Sequence, residues 1–104
     1  MPSDDDLDEL IERITVDAYG DEGYWCFLQA IEDEATFPIP ATLVGVPVHV
    51  NGIDFDGNER RGLIATIERD GHTTTISVLD IELPASEQAT ARVIAAYKRW
   101  LGII

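Results

Sequence analysis

The segment Phe37-Pro38-Ile39-Pro40 constrains the fold most, because two closely spaced prolines end any helix and favour an extended backbone. Before it, apolar residues recur at helical spacing, whereas after it Val, Ile and Thr dominate in patterns typical of strands. Pro84 ends this strand-rich part, and a second helical pattern follows. The sequence therefore predicts an acidic helical part at 1–36, an antiparallel sheet at 38–84 and a C-terminal helix at 85–102, within a single domain at 1–104.

Two amphipathic helices are predicted before the prolines. The apolar stripe of the first consists of Leu7, Leu10, Ile11, Ile14 and Ala18. The second covers about 22–35, with Asp21 as its N-cap. Its buried face is predicted to be rich in aromatic residues and to contain Tyr24, Trp25, Leu28, Ile31 and Ala35.

Strand patterns occur at 41–46, 47–53, 61–69 and 72–83, the last one bent near Leu79. Asp70-Gly71 is a strong signal for a two-residue hairpin turn. Three to five short antiparallel strands predict an α+β fold in which the helices pack on one side of a small, strongly curved sheet. A small SH3-like barrel is the alternative form of that sheet.

The charge of the chain restricts its partners. The sequence has 20 acidic residues against 7 Lys and Arg, which gives a formal net charge of −13, and the acids concentrate before residue 35. Phosphates would be repelled, so nucleic acid is an improbable partner, whereas cations and basic protein surfaces are favoured. Because 45% of the residues are hydrophobic, the chain is expected to fold rather than to form a disordered acidic tail.

Two predicted helix ends carry unfavourable charge. Glu32, Asp33 and Glu34 occupy the last turn of the second helix, where carboxylates face the negative pole of the helix dipole. Asp17 is predicted to lie at the end of the first helix, shortly before a helix stop at Gly20. A bound cation would offset the unfavourable negative charge at both helix ends. Acidic clusters on helices also occur simply as solvated surfaces.

Several segments together resemble the CcbP-type family of small acidic bacterial calcium-binding proteins. They are ITVDAYG at 14–20, the region of Trp25, IED at 31–33, FPIPA at 37–41 and AYKRWLG at 96–102. The resemblance covers most of the chain from Ile14 onward. It implies a non-enzymatic protein that buffers or senses free calcium.

On this basis Asp17, Glu32 and Asp33 are the foremost candidate ligands, and the surrounding carboxylates are Asp21, Glu22 and Glu34. Ca²⁺ suits such a set because it takes about 6–8 oxygen ligands, whereas Mg²⁺ requires stricter geometry. A surface site of this kind is expected to be weak, with a Kd of about 10⁻⁵ to 10⁻³ M.

The loop DFDGNE at 54–59 offers a second group of acids. It is not an EF-hand, because Gly57 stands at the fourth position of the loop and Ala65 at the twelfth. A hairpin turn is the simpler interpretation, with Arg60 and Arg61 close enough to neutralise its charge. The alternative is a second, weaker ion site formed by Asp54, Asp56 and Glu59.

The remaining patterns indicate no catalytic chemistry. Cys26 is the only cysteine, so no internal disulfide forms, and a half-buried thiol is expected. His49 and His72 have no partner at the spacing of zinc ligands. No signal peptide or membrane span is evident, so a cytoplasmic protein is expected.

The alternative function is an acidic SH3-like module or inhibitor that docks on a basic protein through exposed aromatic residues, with Tyr19 and Tyr24 as candidates.

Overall fold

A computed structural model of the chain describes residues 4–16, 18 and 22–103. The predicted order of helices and strands is confirmed. In chain order the elements are α1 (Asp4–Thr15), α2 (Glu22–Glu34), β1 (Ile39–Leu43), β2 (Val46–Asp54), β3 (Ile64–Arg69), β4 (His72–Ser77), β5 (Ile81–Glu82) and α3 (Gln88–Trp100). The segment predicted as a helix at 85–102 consists of a 3-10 turn at Ala85–Glu87 followed by α3. Of the helices in the described residues, none combines the length and apolar character that crossing a membrane requires.

The five strands form one antiparallel sheet in the order β4-β3-β2-β1-β5. Its two edge strands, β4 and β5, are joined by a single 3-10 turn at Val78–Asp80. Such a short connection brings the two edges close together at one end, so the sheet is strongly curved, as predicted. Within residues 22–103 no strand pairing joins β4 to β5, so the sheet is open and does not close into a barrel.

Two hairpin turns use residues with positive φ. Asp70 and Gly71, at φ 52° and 81°, connect β3 to β4, which confirms the predicted turn. Val44 and Gly45, at φ 50° and 80°, connect β1 to β2. The prediction of a strand at 41–46, which runs through Val44, was wrong, because β1 ends at Leu43 and β2 begins at Val46. A β-branched residue rarely adopts positive φ, so Val44 carries no turn signal.

The three helices contact one another and cover the inner face of the sheet. Gly23 of α2 lies against the Trp100 ring of α3, and a Cβ at this position would overlap the ring. Asp8 of α1 accepts hydrogen bonds from Arg99 of α3, at 2.7 Å from Nε and 3.2 Å from Nη2. These contacts fix α3 between the two N-terminal helices.

Candidate functional site

The last turn of α2 carries the charge arrangement that the sequence predicts. The helix ends at Glu34, and the side chains of Glu32, Asp33 and Glu34 are exposed. The Ala35 N–H still donates to the Ile31 carbonyl at 2.9 Å, so the carbonyls after Ile31 are the ones that lie at the helix terminus. α2 has no basic residue in its last turn. Three carboxylates therefore lie at a negative helix pole without a compensating charge on the same helix.

These three carboxylates leave the helix in different directions. Successive residues of an α-helix are rotated by about 100°, so neighbours in sequence do not face one another. Gln29 Nε2 donates to Asp33 Oδ1 at 2.9 Å, one turn earlier on the same face. The three side chains therefore present separate carboxylates to solvent instead of one converging ligand set.

Glu22 lies at the opposite end of α2. Ten residues separate it from Glu32, which corresponds to a rise of about 15 Å. Asp17 and Asp21 lie outside the described residues. In the part of the chain that the structure describes, no three His, Cys, Asp or Glu side chains come together so that they could hold a metal ion. Of the predicted ligands that the structure describes, Glu22 therefore lies at one end of α2 and Glu32, Asp33 and Glu34 at the other, too far apart to share one ion.

The loop at 54–59 uses its carboxylates in local contacts. The Phe55 N–H donates to Asp54 Oδ1 at 2.8 Å, and the Asn58 N–H donates to Asp56 Oδ1 at 2.9 Å. Arg61 Nη1 lies 3.0 Å from Asp56 Oδ2 in an ion pair. These contacts favour the interpretation of this loop as a turn that Arg61 partly neutralises.

The same loop is held against α2 by aromatic contacts. Phe55 is buried and stacks on Tyr24, with ring centroids 4.8 Å apart and an interplanar angle of 8°. The edge of Tyr24 also packs against Trp100 at 5.0 Å, and its hydroxyl donates to the Glu59 carbonyl at 3.3 Å. Tyr24 is therefore a packing residue, and the interpretation of it as an exposed docking aromatic was wrong. Tyr19, the other candidate, lies outside the described residues.

Trp25 is the exposed aromatic residue of α2, with 47% of its surface accessible. The predicted buried face of α2 wrongly included Trp25 and lacked Phe27, which is completely buried. The helical period could have distinguished them, because Trp25 is rotated by about 100° from Tyr24 toward the side of Gln29. Trp25 contacts the Phe55 ring edge to face, at 5.2 Å between centroids.

Trp25 borders an open groove of about 620 Å³ between α1 and α2. The described residues that line this groove, hereafter the Trp25 groove, are Ile14, Glu22, Trp25, Cys26, Gln29, Ala30 and Asp33. Cys26 is a free, half-buried thiol, as expected. The groove therefore combines an apolar floor with a carboxylate near each end of α2.

Among the described residues, Asp8, Tyr24 and Tyr97 have perturbed pKa values, and each belongs to a contact that holds the fold together. Burial raises the pKa of the Tyr97 phenol, although its hydrogen bond with the Leu63 N–H at 3.0 Å acts in the opposite direction. Burial, together with the charge of Glu59, raises the pKa of Tyr24. The hydrogen bond from Arg99 lowers the pKa of Asp8. These shifts mark structural contacts of α1 with α3, and of α2 and α3 with the loop before β3.

No protein-family model matches the sequence, and no curated protein matches it. Among solved structures, the crystal structure of Anabaena CcbP is similar, with a TM-score of 0.77 and a sequence identity of 22%. The superposition covers 97% of this chain and 93% of that chain. At this identity the similarity shows a shared fold, which confirms the CcbP-like architecture that the sequence resemblance implied.

Proposed function

We propose that this protein binds calcium ions through surface carboxylates and acts as a cytoplasmic calcium buffer or sensor, without enzymatic activity. The observation that carries the proposal is the last turn of α2, where Glu32, Asp33 and Glu34 lie at a negative helix pole without a basic residue. A divalent cation there would interact favourably with the carboxylates and with the terminal carbonyl groups of the helix. The CcbP-like fold and the net charge of −13 support the same proposal.

The length of α2 divides the proposed ligands into two groups. The C-terminal group consists of Glu32, Asp33 and Glu34, and the N-terminal group of Asp17, Asp21 and Glu22. Because Glu22 lies about 15 Å from Glu32 along the helix, an ion bound at Glu22 would be separate from one bound by the C-terminal group. The C-terminal group has the stronger electrostatic reason to bind, since carboxylates at the positive N-terminal pole are already stabilised.

Calcium binding to the folded state predicts an increase in thermal stability. At a calcium concentration of ten times Kd, one site stabilises the fold by about 1.4 kcal/mol. For a domain of this size that corresponds to an increase in Tm of about 5–11 °C. Scanning calorimetry with calcium and with chelator, at constant ionic strength, measures this shift. Equal Tm values in calcium and in the same concentration of magnesium would contradict the proposal.

Two charge-matched triple variants separate the groups. E32Q/D33N/E34Q is expected to abolish the calcium-dependent shift, and D17N/D21N/E22Q tests the N-terminal group. The control E68Q/D80N/E82Q removes the same number of carboxylates from β3, the 3-10 turn and β5, outside α2. If this control weakens calcium binding as much as the α2 variants, the effect belongs to net charge and not to a site. Isothermal titration of the protein alone with calcium gives the stoichiometry.

A further inference from the structure

The Trp25 groove exposes an apolar surface that the rest of the described chain does not cover. Trp25 is one of the few large apolar side chains exposed in the described residues, and Ile14 and Ala30 extend the apolar surface beside it. Tryptophan on a groove is a frequent anchor in protein interfaces, because its large ring buries much area with few rotatable bonds. Its contact with Phe55, at 5.2 Å between ring centroids, restricts the orientation of the Trp25 ring in the unbound protein. This lowers the entropy cost of binding.

Charge at the groove has one sign. Glu22 and Asp33 line it near opposite ends of α2, about 16 Å apart along the helix, and its described lining includes no basic residue. The two helices that form the groove carry six acidic residues in α1 and four in α2, against Arg13 alone. A partner must therefore carry positive charge, particularly near its two ends.

We propose that the Trp25 groove is a docking site for a basic amphipathic helix of a protein partner. Apolar side chains of that helix, spaced by three or four residues, would pack on Trp25, Ile14 and Ala30. Lysines or arginines about eleven residues apart would pair with Glu22 and Asp33, because a helix of that length spans the same distance as the groove.

The same features disfavour other occupants. The groove is open and shallow, whereas sites for small molecules enclose most of the ligand surface. A second copy of this chain would oppose carboxylates with carboxylates, and phosphates would be repelled likewise. Glu22 and Asp33 are also among the proposed calcium ligands, so calcium would compete with the helix, and the experiment is performed in chelator.

A labelled synthetic peptide of about 15 residues tests the proposal, with leucines at helical spacing and a lysine near each end. We expect it to bind with a Kd of about 10⁻⁵ M, measured by fluorescence anisotropy. Trp25→Ala is expected to weaken binding about tenfold or more, whereas Val44→Ala, which truncates another exposed apolar residue on the β1–β2 turn, leaves it unchanged. E22Q/D33N, which keeps the apolar floor intact, is expected to weaken binding and to reduce its salt dependence.

Charge alone attracts any basic peptide to an acidic protein, so two control peptides are necessary. One has the same composition in scrambled order, which removes the apolar face, and the other has glutamates in place of lysines. Equal binding of the designed and scrambled peptides, or equal binding by the wild type and Trp25→Ala, would overturn the proposal. Chemical shift changes confined to residues of the Trp25 groove would support it, whereas changes elsewhere would contradict it.

Discussion

The inner face of α2 and its acidic end differ in how the fold supports them. On the inner face Gly23 allows Trp100 to approach, Tyr24 stacks on Phe55, and Phe27 is completely buried. At the acidic end, carboxylates are exposed at the negative pole of the helix. α2 is therefore stabilised by tertiary packing and not by the charges at its own terminus. Because packing of its inner face stabilises α2, the C-terminal turn can retain locally unfavourable charge, which is a common feature of functional surfaces.

The end of α3 shows that this chain also contains a helix terminus with favourable charge. Lys98 and Arg99 lie in the last turn of α3, where cations suit the helix dipole. Arg99 additionally pairs with Asp8 at 2.7 Å. Compared with this terminus, the acidic end of α2 is an exception within the same molecule, which is why we assign a function to it.

The largest expected loss of stability concerns Gly62, which lies before β3 and packs against Tyr97 of α3 and Tyr24 of α2. Gly62 has φ 63°, and a Cβ there would overlap the Tyr97 hydroxyl. We expect Gly62→Ala to destabilise the fold by about 2–4 kcal/mol, from backbone strain and overpacking together. Chemical denaturation measures this loss. Gly57→Ala is the matched control, because Gly57 has φ 88° but open space around it, so only the strain contributes. Equal losses in both variants would show that the Tyr97 contact is unimportant.

Removal of the Tyr97 hydroxyl is expected to have the next largest effect. Tyr97→Phe leaves the buried Leu63 N–H without its acceptor, which destabilises by about 1–3 kcal/mol. Tyr24→Phe is the control, because its hydrogen bond to the Glu59 carbonyl is long, at 3.3 Å, and exposed.

The pKa of Tyr97 is raised in the folded state, so its contribution is complete below the unfolded pKa of about 10 and is lost as pH rises through the folded pKa. The stability difference between the wild type and Tyr97→Phe is therefore expected to decrease above about pH 10. A difference independent of pH up to complete unfolding would contradict this assignment.

Removal of charge at the acidic end of α2 is expected to increase stability, in contrast to the substitutions of Gly62 and Tyr97. In chelator, E32Q and D33N should each stabilise the fold by about 0.3–1 kcal/mol, because each removes a negative charge from a negative helix pole. E22Q removes the same charge from the positive pole of the same helix and is expected to destabilise. Chemical denaturation of these variants measures whether each one gains or loses stability. Repeating it at high salt shows how far these changes are screened. Destabilisation by E32Q and D33N would contradict the comparison on which the calcium proposal depends.

The smallest effect is expected for the exposed ion pair between α1 and α3. Asp8→Asn should lower Tm slightly at neutral pH, while Glu9→Gln, a neighbouring exposed carboxylate on α1, serves as the control. Arg99 lowers the pKa of Asp8 in the folded state, so the contribution is present above the unfolded pKa of about 3.9 and is lost as pH falls through the folded value. An Asp8→Asn effect that persists in strong acid would show that the pair is not its cause.

Much of the fold could be predicted from local sequence. Prolines at 38 and 40, the Asp70-Gly71 turn and the apolar periodicities predicted the order of elements, because each depends on the backbone preferences of a few neighbouring residues. The turn at Val44-Gly45 was missed, since the pairing of Leu43 with Val46 places Val44 at a positive φ that valine disfavours. The separation of Glu22 from Glu32, Asp33 and Glu34 follows from helical rise alone and could have been recognised in the sequence.

Local sequence patterns predicted which segments are helical or extended, the sign of the surface charge, and which helix end carries acids without bases. Contacts between residues far apart in the chain, such as Arg99 with Asp8, became known only from the fold, as did the packing of Tyr24 and the exposure of Trp25. The two kinds of information differ in the distance along the chain over which they act. Backbone preference and periodicity act over a few residues, whereas packing depends on the distances between elements that are remote in the chain.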